Sequence, residues 1–475
     1  MRSHLLLLAL STSVLAGCTV GPDYAGPPKV ASELTNGFVR AESGVITNAL
    51  PVADWWKPLG DAQLDALITR ALAENNDIRA AEAKLRQARA ALGEQRANGA
   101  PKANVSALYA HARIPGANLG GGDSAEGEGA SDSALNLYNL GFDASWEIDL
   151  FGGQRRSVEA ARAQMEGTDA NLADVQVSIS ANVGQSYFNL RDRQQRIALG
   201  QQSMTMQQEM LALTRQRFER GTASAADVAQ IESQLDATTA QLAPLAAERD
   251  AYLNALAVLT GQQPGAVDAQ FSDGGDIPLP PASVPVGDPA GLIAHRPDIR
   301  AAERTLAADT AKIGQAQAAR FPRLSFMGLI GIGGTKISDL GNLDDFVAVA
   351  APQLSWSFLD FGRNKAKVGQ AEAVRDEAEA RYSATVLGAL RDAEDALARF
   401  RESRIAVAAL ARVRDKATLT ERLAQSRYQA GTATKIVALN ARNDLNRAEQ
   451  DLVSARAGLI NDYVAIQKAL GLAWR

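Results

Sequence analysis

The chain has 475 residues, of which 46% are hydrophobic and 5% aromatic, and its formal net charge at pH 7 is −5. A negative charge without a basic stripe argues against nucleic acid as a partner. The length would suit two or three ordinary domains. Proline, however, is absent from 116–243 and from 353–475, which leaves room for very long helices.

The first residues predict a bacterial lipoprotein signal over 1–17. A charged start, an apolar run over 5–10 and small residues before Cys18 are typical of a cleaved secretory signal, and the run is too short to cross a bilayer as a helix. Cys18 is the single cysteine and stands where such signals carry the acylated residue. We therefore predict a covalent lipid on Cys18 and no other cofactor. The alternative is a signal peptide that ends near a chance cysteine.

The next segments follow in chain order. Residues 18–61 contain prolines without a sustained period and predict an extended arm, anchored by Trp55 and Trp56. A helical pattern then runs from 62 to 98. Across 138–149 apolar and polar residues alternate, which predicts a strand with two different faces, and a weaker strand precedes it. The first repeat, 62–264, is thus a helix, a β-hairpin at about 103–149, and helices at 154–219 and 222–260.

The second half of the chain repeats this order. Arg217–Thr222 recurs as Arg427–Thr432 at an offset of 210 residues, and Asp77–Arg79 recurs as Asp298–Arg300 at an offset of 221. One loop insertion in the first copy explains the difference. A proline-rich crossover linker at 265–297 precedes the second repeat, 298–475, which is a helix, a hairpin at about 323–360, and helices at 364–429 and 432–470.

The long helices and the strands set the fold class. A helix of about 65 residues is about 100 Å long, and apolar spacings of three and four residues predict coiled-coil packing. Each strand has the length of a tilted transmembrane β-strand. Because an open sheet edge in lipid leaves backbone groups unpaired, four strands need a closed oligomer, either a dimer or a trimer. The alternative is a soluble hairpin domain that caps a coiled coil.

Several segments resemble the outer-membrane factors of tripartite efflux pumps, in the lipoprotein branch that works with resistance-nodulation-division transporters. They are the Cys18 lipobox, Asp54-Trp55-Trp56, Arg296–Arg300, Phe321–Ser325, Leu354-Ser355-Trp356 and the paired Gly-Thr turns. The resemblance implies a mixed α and β membrane protein, a homotrimer with a 12-strand β-barrel continuous with a 12-helix periplasmic α-barrel. It implies location in the outer membrane, a periplasmic adaptor and an inner-membrane transporter as partners, and a passive exit duct rather than an enzyme. The alternative function is a lipid-anchored periplasmic coiled-coil scaffold without a pore.

The resemblance also implies a gate at the periplasmic tip. Asp227 and Tyr428 match a linking pair of the family, whereas the family's ring aspartate falls on Asn440 and an arginine is replaced by Ala433. We therefore expect a gate held by the Asp227–Tyr428 link and by apolar Ile436. The alternative is that Asp227 is an ordinary acid in the first turn of a helix.

The turns at the tip are predicted to contact the adaptor. Gly221 and Gly431 would each end an outgoing helix, and Thr222 and Thr432 would cap the returning one.

No catalytic or metal-binding constellation is predicted. The three histidines, His4, His111 and His295, lie far apart in the sequence. The glycine-rich segment 328–336 lacks the Gly-Lys-Ser/Thr order that cradles phosphate. We interpret that segment as a hairpin turn.

Overall fold

The computed structural model describes residues 19–30, 37–42, 44–47, 49, 52–114, 133–341, 344 and 346–471. The predicted signal over 1–17, Cys18 and the whole loop of the first hairpin, 115–132, lie outside these residues. The helices are α1 (Ala62–Glu74), α2 (Asn76–Ala97), α3 (Gly153–Glu219), α4 (Ala225–Leu259), α5 (Pro289–His295), α6 (Pro297–Ala318), α7 (Arg363–Gln429) and α8 (Lys435–Ala469). The strands are β1 (Ile46–Thr47), β2 (Lys102–Ile114), β3 (Ser133–Ile148), β4 (Val284–Pro285), β5 (Arg323–Gly334) and β6 (Phe346–Ser355). None of the described helices is both long and apolar enough to cross a membrane.

Contacts divide the chain into two compact units. The strand unit comprises the described residues of 1–27, 86–166 and 303–380, and the helical unit comprises those of 28–85, 167–302 and 381–475. The long helices α3 and α7 contribute residues to both. Each unit therefore draws on both repeats of the sequence.

The strand unit contains a four-stranded antiparallel sheet in the order β2-β3-β5-β6. Each repeat supplies one hairpin, and the hairpins join through their inner strands, with Tyr138 opposite Gly334 and Ile148 opposite Leu324. Strands β2 and β6 therefore form the two edges. Apolar side chains such as Phe142 and Ile330 are exposed on one face of the sheet.

The prediction of a turn at 328–336 is wrong, because residues up to Gly334 belong to β5. Gly331 pairs with Gly141 of β3, and a Cβ atom on Gly331 would lie 2.8 Å from the Leu140 carbonyl oxygen. Glycine is needed there because the two backbones approach closely, which is one of the reasons for glycine inside a strand.

In the helical unit, four helix segments lie in the row α4-α3-α8-α7. Arg215 of α3 contacts Glu232 of α4 at 2.6 Å. The Asn446 side chain of α8 donates to the Leu199 carbonyl of α3 at 3.0 Å. Ser403 of α7 donates to Asp462 of α8. Within the described residues of this unit, α4 and α7 are the ends of the row.

Candidate functional site

The two Gly-Thr turns have the same backbone structure. Gly221 and Gly431 adopt positive φ angles of 73° and 71°, a conformation in which glycine avoids the steric cost of a side chain. Each threonine hydroxyl donates 3.0 Å back to a carbonyl of the outgoing helix, Thr222 to Arg217 and Thr432 to Arg427. The prediction that the threonines cap the returning helices is therefore wrong. Those helices begin three residues later, after Ser224 and Thr434.

Asp227 belongs to a capping box at the start of α4. The Ser224 hydroxyl accepts from the Asp227 amide at 3.2 Å, and the Asp227 carboxylate accepts from the Ser224 amide at 2.8 Å. The Ser224 backbone amide is the main reason why the pKa of Asp227 is lowered. The box is complete when this carboxyl is ionised, and its contribution is lost as the pH falls through that lowered pKa.

The other residues of the predicted gate lie near the second turn. Tyr428 and Asn440 are exposed and Ile436 is half-buried. Among the contacts of the described residues within one chain, none joins Asp227 to Tyr428, so their link stays a prediction about the assembled protein. Lys435, next to Ile436, forms an ion pair with Glu209 of α3. The sequence carries no signal for this pair, whose members are more than 200 residues apart.

Ser224→Ala is expected to weaken the start of α4 by about 1 kcal/mol, because it removes the acceptor for the Asp227 amide. Hydrogen exchange at the amides of residues 225–228 should become about fivefold faster. Thr434→Ala is the matched control, since Thr434 occupies the same position before α8 but makes no side-chain capping bond. Equal acceleration in both variants would contradict the assigned role of Ser224.

A second constellation, which the sequence analysis missed, holds the N-terminal arm in the strand unit. Arg156 of α3 is only 3% exposed and donates to the Val20 carbonyl, the Gly21 carbonyl and the Asp23 carboxylate at 3.3, 3.2 and 2.6 Å. The Val20 amide donates to the Phe151 carbonyl at 3.1 Å. The arm thus contacts α3 from Val20 onward, and Val20 is two residues after Cys18 in the sequence.

The described residues contain no group of three or more His, Cys, Asp or Glu side chains that could hold a metal ion. The residues of the two turns, Gly221-Thr222 and Gly431-Thr432, are exposed, and their amides and hydroxyls donate to carbonyls of the outgoing helices.

Comparison with known proteins agrees with this arrangement. A family model described as outer membrane efflux protein matches residues 67–262 and 290–472. Outer membrane protein OprJ of Pseudomonas aeruginosa is 29% identical over 99% of this chain and 95% of its own length. The toluene efflux pump outer membrane protein TtgI of Pseudomonas putida is 30% identical over 97% and 96%. The solved structure of the outer-membrane channel OprN has a TM-score of 0.84 at 31% identity and covers 96% of this chain and 99% of that one. The chain therefore belongs to the outer membrane efflux protein family.

Proposed function

We propose that three copies of this chain form a passive exit duct for small toxic compounds in the outer membrane. The observation that carries the proposal is the open four-stranded sheet, whose edge strands β2 and β6 have no partner on one side within the described chain. Unpaired backbone groups in lipid cost several kcal/mol each. Strands of 13 and 10 residues suit a membrane only when a closed oligomer pairs them.

The exposed apolar side chains support the same assembly. Val105, Tyr109, Phe346 and Leu354 on the two edge strands are all exposed. An apolar band of this kind suits the lipid-facing side of a barrel. The surface would be costly for a chain that stays in water, because large apolar patches favour association.

The helical unit is open in the same way. Its row ends in α4 and α7, so a ring closes when α7 of one copy meets α4 of the next. Such head-to-tail contacts generate closed rings when the rotation per copy is right. Four helices per copy would line a periplasmic tunnel.

Partners and location follow from the same proposal. The exposed turns at Gly221-Thr222 and Gly431-Thr432 are the surface on which a periplasmic adaptor would dock, and an inner-membrane resistance-nodulation-division transporter would supply the energy. A lipid on Cys18 would anchor the arm in the outer membrane. Relatives that are components of efflux pumps, such as the toluene efflux pump outer membrane protein TtgI, support this proposal.

The proposal is tested by measuring the mass of the assembled protein and the conductance of the channels that it forms. In mild detergent the protein should have the mass of three chains, and in planar bilayers it should form channels once the tip is opened. A monodisperse monomer that never conducts would instead favour the lipid-anchored scaffold without a pore.

The gate is tested separately. Asp227→Ala combined with Tyr428→Phe should raise single-channel conductance and the uptake of large antibiotics, since the double change removes a charge-assisted hydrogen bond that would occur three times in a trimer. Asn440→Asp should leave the tip closed but increase cation selectivity, because it adds three carboxylates to the constriction.

Ser224→Ala is the control for the double variant, since it disturbs the capping box and leaves both gate side chains in place. Conductance that is unchanged in the double variant would place the gate elsewhere. An equal rise in the control would assign the effect to loss of the helix start.

A further inference from the structure

A polar cavity lies within the helical unit, between helices α3, α4 and α8. Its volume is about 450 Å³, which is within the size range of small-molecule sites. The lining comprises residues of 193–207 on α3, of 234–248 on α4 and of 443–450 on α8. This described lining contains none of the predicted gate residues.

The cavity marks a difference in chemistry between the two copies of the repeat. One face of α3 lines the cavity with polar or small residues at helical spacing, namely Arg196, Gly200, Ser203 and Gln207. At the offset of 210 residues, the equivalent residues of α7 are Ala406, Leu410, Val413 and Ala417. The duplicated fold therefore does not require polar side chains on this face, so their presence in the first copy has another reason.

Two buried amides at one end of the cavity lack a partner. Gln207 is 4% and Asn443 is 9% exposed, and neither side chain forms a hydrogen bond with another described residue. Ser203 accepts from the Asn446 side chain at 3.3 Å, which leaves its own hydroxyl hydrogen available. A buried polar group without a partner is destabilising. Because amides and hydroxyls can both donate and accept, this end of the cavity suits the hydroxyl groups of a ligand.

The other end of the cavity carries free guanidinium donors. Arg196 precedes Gln207 by eleven residues of helix, a distance of about 16 Å along the axis. Its guanidinium is 3.7 Å from Asp192, beyond hydrogen-bond distance, and its buried Nε atom has no acceptor in the described chain. Burial, and next the positive charge of Arg193, lower the pKa of Arg196. Arg193 itself is paired with Glu248 of α4.

A second guanidinium with free donors comes from α8. This helix runs antiparallel to α3, so Arg447 lies on the Arg196 side of Asn443. Arg447 is 3.7 Å from Asp444, again too far for a hydrogen bond. The planar guanidinium group binds a carboxylate through two parallel hydrogen bonds. The two arginines therefore suit an organic acid.

We propose that this cavity binds an elongated sugar acid. Its carboxylate accepts from Arg196 and Arg447. Its hydroxyl groups bond to Ser203, Asn443 and Gln207. None of the described lining residues is aromatic, so a planar aromatic compound finds no stacking partner there. The site selects its ligand by hydrogen bonds, and it does not depend on the proposed duct.

The first test compares ligands by isothermal titration calorimetry of the full-length protein in a neutral detergent. The probe is lactobionate, a disaccharide with one carboxylate. Lactitol has the same skeleton with an alcohol in place of the carboxylate, and hexanoate has a carboxylate without hydroxyl groups. Lactobionate should bind about 10- to 100-fold more tightly than either compound, because hydrogen bonds to charged groups are stronger than neutral ones.

The second test uses variants that locate the two ends of the ligand. Arg196→Gln should weaken the binding of lactobionate about 10- to 100-fold and remove most of the difference from lactitol. Gln207→Leu should weaken the binding of both disaccharides by a similar factor, about 2- to 10-fold, because it removes a neutral hydrogen bond. Arg412→Gln is the matched control, since it makes the same charge change at an exposed residue of α7 outside the cavity. Its affinity for lactobionate should equal that of the original protein.

Two results would overturn the proposal. Equal affinities for lactobionate and lactitol, or binding of lactobionate no tighter than about 1 mM, would leave the cavity to ordered water. Equal weakening in Arg196→Gln and Arg412→Gln would show a general attraction between charges rather than a site. The ligand comparison uses the original protein, so it decides the matter even where a variant does not fold. The mass and the conductance that test the duct are independent of these results.

Discussion

Trp55→Ala is expected to lower the free energy of unfolding of the helical unit by about 3–5 kcal/mol. Trp55 is 2% exposed and meets Trp56 and Tyr463 edge to face, with centroids 5.8 and 6.1 Å away. The Tyr463 hydroxyl donates to the Trp55 carbonyl at 3.0 Å. Burial raises the pKa of Tyr463 to about 12, so this donor stays protonated at neutral pH. The indole thus ties the N-terminal arm to α8.

The same indole also lies against α3. A Cβ atom on Gly184 would be 2.8 Å from the outer ring of Trp55. Gly184→Ala should therefore lower the free energy of unfolding of the helical unit by about 1–3 kcal/mol through overpacking. Gly458→Ala on α8 is the matched control. The space around Gly458 is open within the chain, and alanine there should stabilise the helix by up to about 1 kcal/mol.

The measurement is the urea concentration at the midpoint of unfolding in detergent, monitored by far-UV circular dichroism. Trp55→Phe is the conservative variant. Phenylalanine should recover part of the loss because it keeps an aromatic ring in the same place. Equal midpoints for Trp55→Ala and the original protein would show that the arm does not stabilise the helices.

Arg191→Ala is the second large effect, at about 3–5 kcal/mol, because it removes hydrogen bonds of a charged group, worth about 1.5–3 kcal/mol, and desolvated cation–π contacts worth about 2 kcal/mol. Arg191 of α3 is 2% exposed and donates to the Asp273 carbonyl at 2.8 Å and to the Gln63 side chain. Its guanidinium lies 5.1 Å from the ring centre of Tyr187 and 5.4 Å from that of Phe271. The substitution would leave an unsatisfied carbonyl and a cavity between α1, α3 and the crossover linker.

The expected readout is loss of protection in the linker. Thermolysin should cleave near Phe271 in Arg191→Ala at a concentration that leaves the original chain intact. Arg191→Met keeps the apolar stem against the two rings and should be less sensitive than the alanine variant. Identical cleavage of both variants would show that the packing of the Arg191 stem against the two rings does not protect the linker. A linker that stays protected in both variants would show that the hydrogen bonds of Arg191 do not stabilise it.

The sequence predicted the long helices within a few residues of their observed ends. Their apolar spacing persists over many turns, so α3, predicted to begin at 154, begins at Gly153. The returning helices start later than predicted, although Ser224 and Asp227 at the spacing of a capping box were a readable signal.

Strand β3 starts at Ser133 rather than 138. Consecutive apolar Leu137 and Tyr138 break the alternation there, and pairing with β2 extends the strand regardless.

The sequence does not indicate that two arginines of α3 are buried. Arg156 and Arg191 look like ordinary charges on a long helix, and their partners Asp23 and Asp273 are distant in the sequence. Only the tertiary structure brings them together. The same holds for the parallel contact of β1 with β4, two residues each, in segments interpreted as arm and linker.

The pairing of β3 with β5 has a consequence for the order of folding. Each hairpin closes a short loop, an event of about 1–10 μs, whereas β3 and β5 are roughly 190 residues apart in sequence and must meet across a costly loop. High contact order of this kind slows folding. Two separate hairpins would have four unpaired edges, whereas the joined sheet has two. Unpaired edges invite aggregation, so the pairing of β3 with β5 removes two of the four sites at which the chain could aggregate.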